Sequence, residues 1–279
     1  MLKKKFKKKY KNIFNNNEQD QIVSYIRRTE FRQYDQIYND QQYLLGYFSK
    51  DKGRYEDYKN SVLVNFADKN VGGLSFDPVN IAQEEVLILT HPEAVISMLF
   101  MQTMDENEAI LIQNIMMDTD RHLDEKMKII VNQFSKIQKL QKSYLSNISQ
   151  LISLCYKNWQ MQFDQVYINR ELTKSYVAFS LELNYTNNEN ISTGKWGCGI
   201  FNGDVQLKIL ILLPAFLMAQ QDWQQKHEQN KMLDFKNKTE RILIFSSFHN
   251  NQFDDLIYSY EKCLNEKRLK ILQNNNLRD

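Results

Sequence analysis

"SVLVNFADKNVGGLSFDPVNIAQEEVLIL", residues 61–89, decides the fold. Its first seven residues, Ser61 to Ala67, are a β-branched and aromatic run, which reads as a strand. Gly72 and Gly73 then mark a turn. "EEVLIL" is short and apolar and reads as a second strand. "HPEAVISMLFMQTM", directly after it, reads as a helix with Pro92 in its first turn. "EAILIQ" (Glu108–Gln113) reads as a third strand. Strand, helix and strand joined by short links predict an α/β layer.

The same stretch sets two carboxylates side by side. On a regular strand Glu84 and Glu85 face opposite sides, so at most one points into a given pocket. A buried carboxylate is costly unless it is hydrogen-bonded or protonated, and the protonated form is what a general acid needs. On residue chemistry alone, a solvated pair outweighs a catalytic one.

Outward from this centre the pattern is more helical. Residues 1–60 are polar and aromatic-rich, and "QDQIVSYIRR" and "DQQYLLGYF" have partial helical spacing. They read as a helical N-terminal extension. Residues 61–279 then form the main domain, with a helical insertion around 118–180 whose apolar stripe (124–156) reads as a packed face. "VQLKILILLPAFLMA" fits a strand or a buried helix; Pro214 would kink the helix and suits a central strand poorly. "RILIFSSF" reads as a late strand and "FDDLIYSYEKCLNEKRLKILQ" as an amphipathic helix. There are no repeats and no long linker.

Composition narrows the class without choosing a function. The 279 residues are 42% hydrophobic and 25% charged, enough for a sizeable core. A net charge of +2 names no partner, and no nucleic-acid site is expected. The lysine run "MLKKKFKKKYKN" reads as a solvated basic helix start, with a nuclear-import or nucleic-acid patch as the lesser reading. It lacks the apolar core of a signal peptide. The apolar stretch Ile209–Ala219 is shorter than the ~20 residues a membrane helix needs. Cys155, Cys198 and Cys263 are too scattered for a disulfide framework or a zinc cluster, which fits a reducing compartment. His91, His122, His227 and His249 show no metal-ligand spacing. No metal and no cofactor are expected.

A second glycine-rich loop lies far downstream. Gly194, Gly197, Gly199 and Gly203 bracket Trp196, Cys198 and Phe201. Glycines let backbone N–H groups converge on one point, and such a nest binds phosphate, more so at a helix N-terminus. If "GDVQLKIL" starts a helix, the loop is a diphosphate cradle; otherwise it is a tight turn. It has neither the P-loop Lys-Ser/Thr pair nor the dinucleotide fingerprint.

Together, "GG…QEE" and "TGKWGCGIFNGD" (Thr193–Asp204) resemble the poly(ADP-ribose) glycohydrolase family. The surrounding "VNFADKNVGG", "HPEAVISMLF", "NEAILI" and "RELTKSYVAF" (Arg170–Phe179) are similar as well. The likeness covers roughly residues 60–115 and 165–250. It implies a macrodomain-like three-layer α/β/α sandwich with a mixed sheet. It also implies hydrolysis of ribose–ribose O-glycosidic bonds in poly(ADP-ribose), on the free polymer or on ADP-ribosylated proteins, by a monomer of the nucleus or cytoplasm. By that resemblance Glu85 is the catalytic acid and Glu84 binds the ribose hydroxyls. Gln83 lies beside the adenine, and Gly72 and Gly73 form the turn against the ribose. The 194–201 loop, with Gly197 among its substrate-binding residues, holds the diphosphate, and Gly199, Ile200 and Phe201 lie closest to the phosphates.

Four departures imply a weaker grip on substrate. Leu74 stands where the family has a third glycine, and its side chain would crowd the ribose. Asp68 replaces an asparagine and brings a charge near the acid or the phosphates. "SFDPVNIA" is at the long end of the family's range for this loop, and "IQNIMMDTDRH" lacks the family's closing tyrosine. Three readings follow: a divergent glycohydrolase, a catalytically weak ADP-ribose-binding pseudoenzyme, and an interaction protein that uses its helical stripe.

Overall fold

The computed structural model describes residues 3–8, 21–30, 48–51, 60–77, 82–116, 145–187, 190–229 and 241–247, with isolated positions such as Tyr55 and Val79. Eight strands are present among them: β1 (Lys3–Lys8), β2 (Gln21–Thr29), β3 (Phe48–Asp51), β4 (Ser61–Ala67), β5 (Glu108–Met116), β6 (Leu145–Ile152), β7 (Asn190–Thr193) and β8 (Ile242–Ser246). They form one mixed sheet in the order β1-β2-β5-β6-β4-β7-β8-β3. The pairs β1–β2, β2–β5 and β5–β6 are antiparallel, and β6–β4, β4–β7, β7–β8 and β8–β3 are parallel.

Alternation along the strands builds two cores. Val62, Val64 and Leu111 face α3 (Gln165–Tyr185) and α4 (Val205–Gln229), where Phe179 and Phe216 meet edge to face at 5.7 Å. Leu63, Ile110 and Ile112 face the opposite way, against α1 (Gln83–Leu89) and α2 (Pro92–Ser97). Helices thus cover both faces of a mixed sheet, which is the α/β/α sandwich the resemblance implied.

Several elements differ from the sequence reading. The described residues of the N-terminal extension are strands rather than helices: β1, β2 and β3 all belong to the main sheet, so position 60 separates no layer among them. Val23 and Tyr25 of β2 enter one core and Ile26 the other. Apolar residues at 22, 23, 25 and 26 suit a helical face as well as a strand buried on both sides, so spacing alone could not separate them. The lysine run forms an edge strand rather than a helix start. The expected insertion around 118–180 contains strand β6, in mid-sheet between β5 and β4, with Ile148 and Leu151 buried on opposite faces. Residues 117–144 lie outside the described residues, and so does most of the C-terminal segment read as an amphipathic helix.

"EEVLIL" is not a strand but most of α1. A six-residue apolar run carries no period long enough to choose. Local capping chooses instead: Glu85 Oε2 accepts the N–H of Ala82 at 2.9 Å, and both glutamates sit in the first turn, where the helix dipole favours negative charge. The open alternative at 205–219 resolves as a helix, and Pro214 lies inside it.

Candidate active site

Strands β6, β4 and β7 are adjacent and parallel, so their C-terminal ends share one edge of the sheet. The chain leaves β4 at Asp68, β6 at Ser153 and β7 at Gly194. Ligands bind characteristically beyond such strand ends in open α/β sheets. Here the segments that follow β4 and β7 line a cleft of about 640 Å³.

The turn after β4 holds the glutamates through its backbone. Gly72 and Gly73 have φ of 90° and 46°, conformations that L side chains rarely adopt. The turn aims its N–H groups inward. Glu84 Oε2 accepts from Asp68 N–H at 2.6 Å and Glu84 Oε1 from Gly72 N–H at 3.0 Å. Glu85 Oε1 accepts from Leu74 N–H at 3.1 Å, beside its bond to Ala82. A Cβ on Gly73 would stand 2.6 Å from Glu85 Oε1 and 2.9 Å from Glu84 Oε2. The glycine there is what lets the two carboxylates approach the turn.

Both glutamates are 6% exposed. Burial pushes the Glu84 carboxyl up to about 8; the charges of Glu85 and Asp68 push the same way, and the two backbone donors push against them. The strand expectation of opposite faces therefore fails: on the first turn of a helix, both side chains fold back onto one loop.

Every expected site residue but one lines this cleft. Asp68, Gly73, Gln83, Glu84 and Glu85 come from one side, and Gly197, Gly199, Ile200 and Phe201 from the other. Gly72 is the exception. It sits behind the turn, where a Cβ would come 2.5 Å from the Met98 sulfur. Asp68 turns its carboxylate onto Asn70 N–H at 2.9 Å. Leu74 is 54% exposed and lines the cleft; its φ is not positive, so the backbone there does not require a third glycine. Both side-chain amide atoms of Gln83 are buried without a hydrogen-bond partner among the described residues. Lys195, Asn70 and Phe66 also line the cleft and were not anticipated. Lys195 stands inside the glycine motif itself, where its charge was the available signal.

The second loop packs down onto the ends of the sheet and leads straight into α4 at Val205. Trp196 is fully buried and donates its Nε1–H to Leu151 O at 3.1 Å. Tyr156 N–H bonds Phe201 O at 3.2 Å, and Gly203 N–H bonds Gly197 O at 2.8 Å. Gly197 has φ of 69° and leaves no room for a Cβ beside Ser153. Asp204 caps α4, accepting Leu207 N–H at 2.8 Å. The segment that would carry the closing tyrosine loop lies beyond Met116, outside the described residues. Among the described residues no cluster of His, Cys, Asp and Glu could hold a metal ion, and no helix is long and apolar enough to cross a membrane.

An α/β/α sandwich with buried paired glutamates facing a glycine loop defines the class. A family model described as "Poly (ADP-ribose) glycohydrolase (PARG), Macro domain fold" matches residues 35–254. The chain belongs to that family.

Among curated proteins, it is 26% identical over 201 residues to a probable poly(ADP-ribose) glycohydrolase 2 of Arabidopsis thaliana, covering 57% of this chain and 38% of the relative. It is also 26% identical over 185 residues to poly(ADP-ribose) glycohydrolase 1 of Caenorhabditis elegans, covering 59% of this chain and 23% of the relative. The chain thus matches well under half the length of either. Among solved structures, a mutant poly(ADP-ribose) glycohydrolase from Deinococcus radiodurans in complex with ADP-ribose superposes with a TM-score of 0.41 at 13% identity, covering 81% of this chain and 88% of that one. The Thermomonospora curvata enzyme bound to the inhibitor ADP-HPD gives 0.39 at 13% identity, covering 72% and 73%.

Proposed function

We propose that this chain hydrolyses the ribose–ribose O-glycosidic bonds of poly(ADP-ribose) and releases ADP-ribose. One observation carries the reading: Glu84, Glu85 and the 197–201 loop line a single cleft. The loop's backbone N–H groups suit a diphosphate, and the Gln83 amide, unpartnered among the described residues, suits a base edge. These contacts lie away from the scissile bond and supply positioning. A glycosidic bond breaks through an oxocarbenium-like transition state once a carboxylic acid protonates the departing oxygen. Glu85 gives that proton to the leaving ribose hydroxyl, then draws one from the attacking water. Glu84 holds the ribose hydroxyls.

The two glutamates pull the assignment in different directions. The motif points to Glu85 as acid, whereas burial favours a proton on Glu84. We retain Glu85. Glu84 is held on both oxygens by the turn that follows β4, which suits a holding role. Leu74 in the cleft favours the second reading, a protein that binds ADP-ribose and cleaves weakly.

Labelled poly(ADP-ribose) incubated with wild type and with Glu85→Gln separates the readings. The expected result is ADP-ribose release by the wild type and a loss of at least about 100-fold in the variant. Binding of ADP-ribose without release would establish the pseudoenzyme. Neither binding nor release would refute both.

A further inference from the structure

A buried ionic cluster lies behind the glycine loop rather than in the cleft. Lys208, in the first turns of α4, has a side chain only 1% exposed. Its ammonium pairs with Glu171 Oε2, donates to Ser153 Oγ at 2.8 Å and lies 4.0 Å from the centre of the Trp196 ring. Arg170 Nη1 holds the other oxygen of the same carboxylate, Glu171 Oε1, at 2.5 Å. One buried carboxylate therefore serves two cations.

Two further carboxylates and one amine lie around the buried cluster. Glu106, which pairs with Arg170 Nε, is 70% exposed and screened by solvent. Asp204 caps α4 and keeps its negative charge at the start of that helix. Lys174, buried alongside, binds the carbonyl of Asp105. Burial pushes the Lys208 ammonium down from its ordinary range, and Glu171 pushes it back up.

The cluster touches the loop from beneath. A Cβ on Gly197 would lie 3.4 Å from Lys208 Nζ, and one on Gly203 would lie 3.1 Å from its Cε. Gly197 also lines the cleft on its other side. Only one layer of glycine backbone thus separates the ammonium from any ligand phosphate. Apolar residues of the same volume would fill this space without the desolvation cost of a buried ion pair. The loop's N–H groups offer partial charges only, while a diphosphate carries full ones.

We propose that Lys208 is a positioning residue: with Arg170 it forms a buried cationic cluster that acts through the glycine loop on the diphosphate of the ligand. This rests on the proposed ADP-ribose chemistry of the cleft. It distinguishes ligands by charge, which a packing role does not.

The test is calorimetric titration of the full chain with two probes, ADP-ribose and uncharged adenosine. Lys208→Met keeps an unbranched side chain, one atom shorter, and removes the charge. ADP-ribose should bind about tenfold more weakly to the variant, and adenosine should change by less than about twofold. Raising ionic strength should weaken ADP-ribose binding more in the wild type than in the variant. Equal losses for both probes, or no loss for either, would overturn the proposal. Arg170→Gln, at the margin of the cluster, decides the matter if Lys208→Met does not fold. It should weaken ADP-ribose alone, and unchanged ADP-ribose affinity there would also overturn the proposal. Wild-type binding of ADP-ribose without polymer cleavage removes the glycohydrolase reading and leaves this one standing. Wild type that binds no ADP-ribose removes both.

Discussion

Glu85 and Leu74 are joined by a hydrogen bond from the Leu74 N–H to Glu85 Oε1, 3.1 Å long. The residue that breaks the glycine run thus uses its backbone to hold the Glu85 carboxyl, and its side chain stands half-exposed at the cleft. The turn needs a glycine at 73 and tolerates a side chain at 74.

That asymmetry predicts opposite outcomes for two substitutions. Gly73→Ala puts a Cβ onto both carboxylates at a positive φ. It should cost about 1–3 kcal/mol of stability and at least about tenfold in polymer cleavage. Leu74→Gly should cost about 0.5–1 kcal/mol through chain entropy and leave cleavage equal or raised. Urea unfolding and an ADP-ribose release assay read both. Equal damage from the two changes would contradict the distinction.

The proton on Glu84 should appear in the pH dependence. Its folded-state value of about 8 lies above the ordinary 4.5, so between these values the folded state binds the extra proton. Stability then falls as pH rises through that window and is flat above it. Glu182, buried and also pushed up to about 8, acts in the same sense, and His91, lowered to about 4, acts oppositely below its ordinary 6.5. The comparison therefore has to be with Glu84→Gln. Melting temperatures from pH 5 to 8 should fall more steeply in the wild type than in the variant. Cleavage should decline above about pH 8, as Glu84 loses its proton.

The buried side-chain amide of Gln83 has no hydrogen-bond partner among the described residues. Gln83→Leu should be neutral or stabilising in thermal melts, because it removes an unmet desolvation cost. The same change should weaken ADP-ribose binding by about tenfold, since the leucine cannot replace the lost hydrogen bond. A stable variant with unchanged affinity would remove Gln83 from the site.

Much of the site was legible because its chemistry is local. The glycines at 73 and 197 and the paired glutamates stand in short motifs, and the cleft brings them together. The fold was legible where an element has an unambiguous period or a residue class to itself, as with β4, β5 and β8. It was misread where several structures suit the same residues. The run at 22–26 and the segment Leu145–Ile152 are buried on both faces, so neither shows the alternation that marks a strand. The capping of α1 depends on where the Glu85 side chain reaches, which no hydropathy pattern records. The Lys208 cluster was invisible because Ser153, Glu171 and Lys208 come from three distant segments.

The sheet order also has a kinetic meaning. β5 never pairs with β4, its predecessor in the sequence; β6 lies between them. The first half of the sheet can join the second only after the chain has run on past Met116 and returned at Leu145. Non-local pairing of this kind slows folding, because the ordering entropy of the loop must be spent before its contacts form. The strand that arrives late also delivers Ser153 and the floor beneath the second glycine loop. Activity should therefore emerge during refolding with the slowest phase of sheet formation, well after α1 and its glutamates have formed.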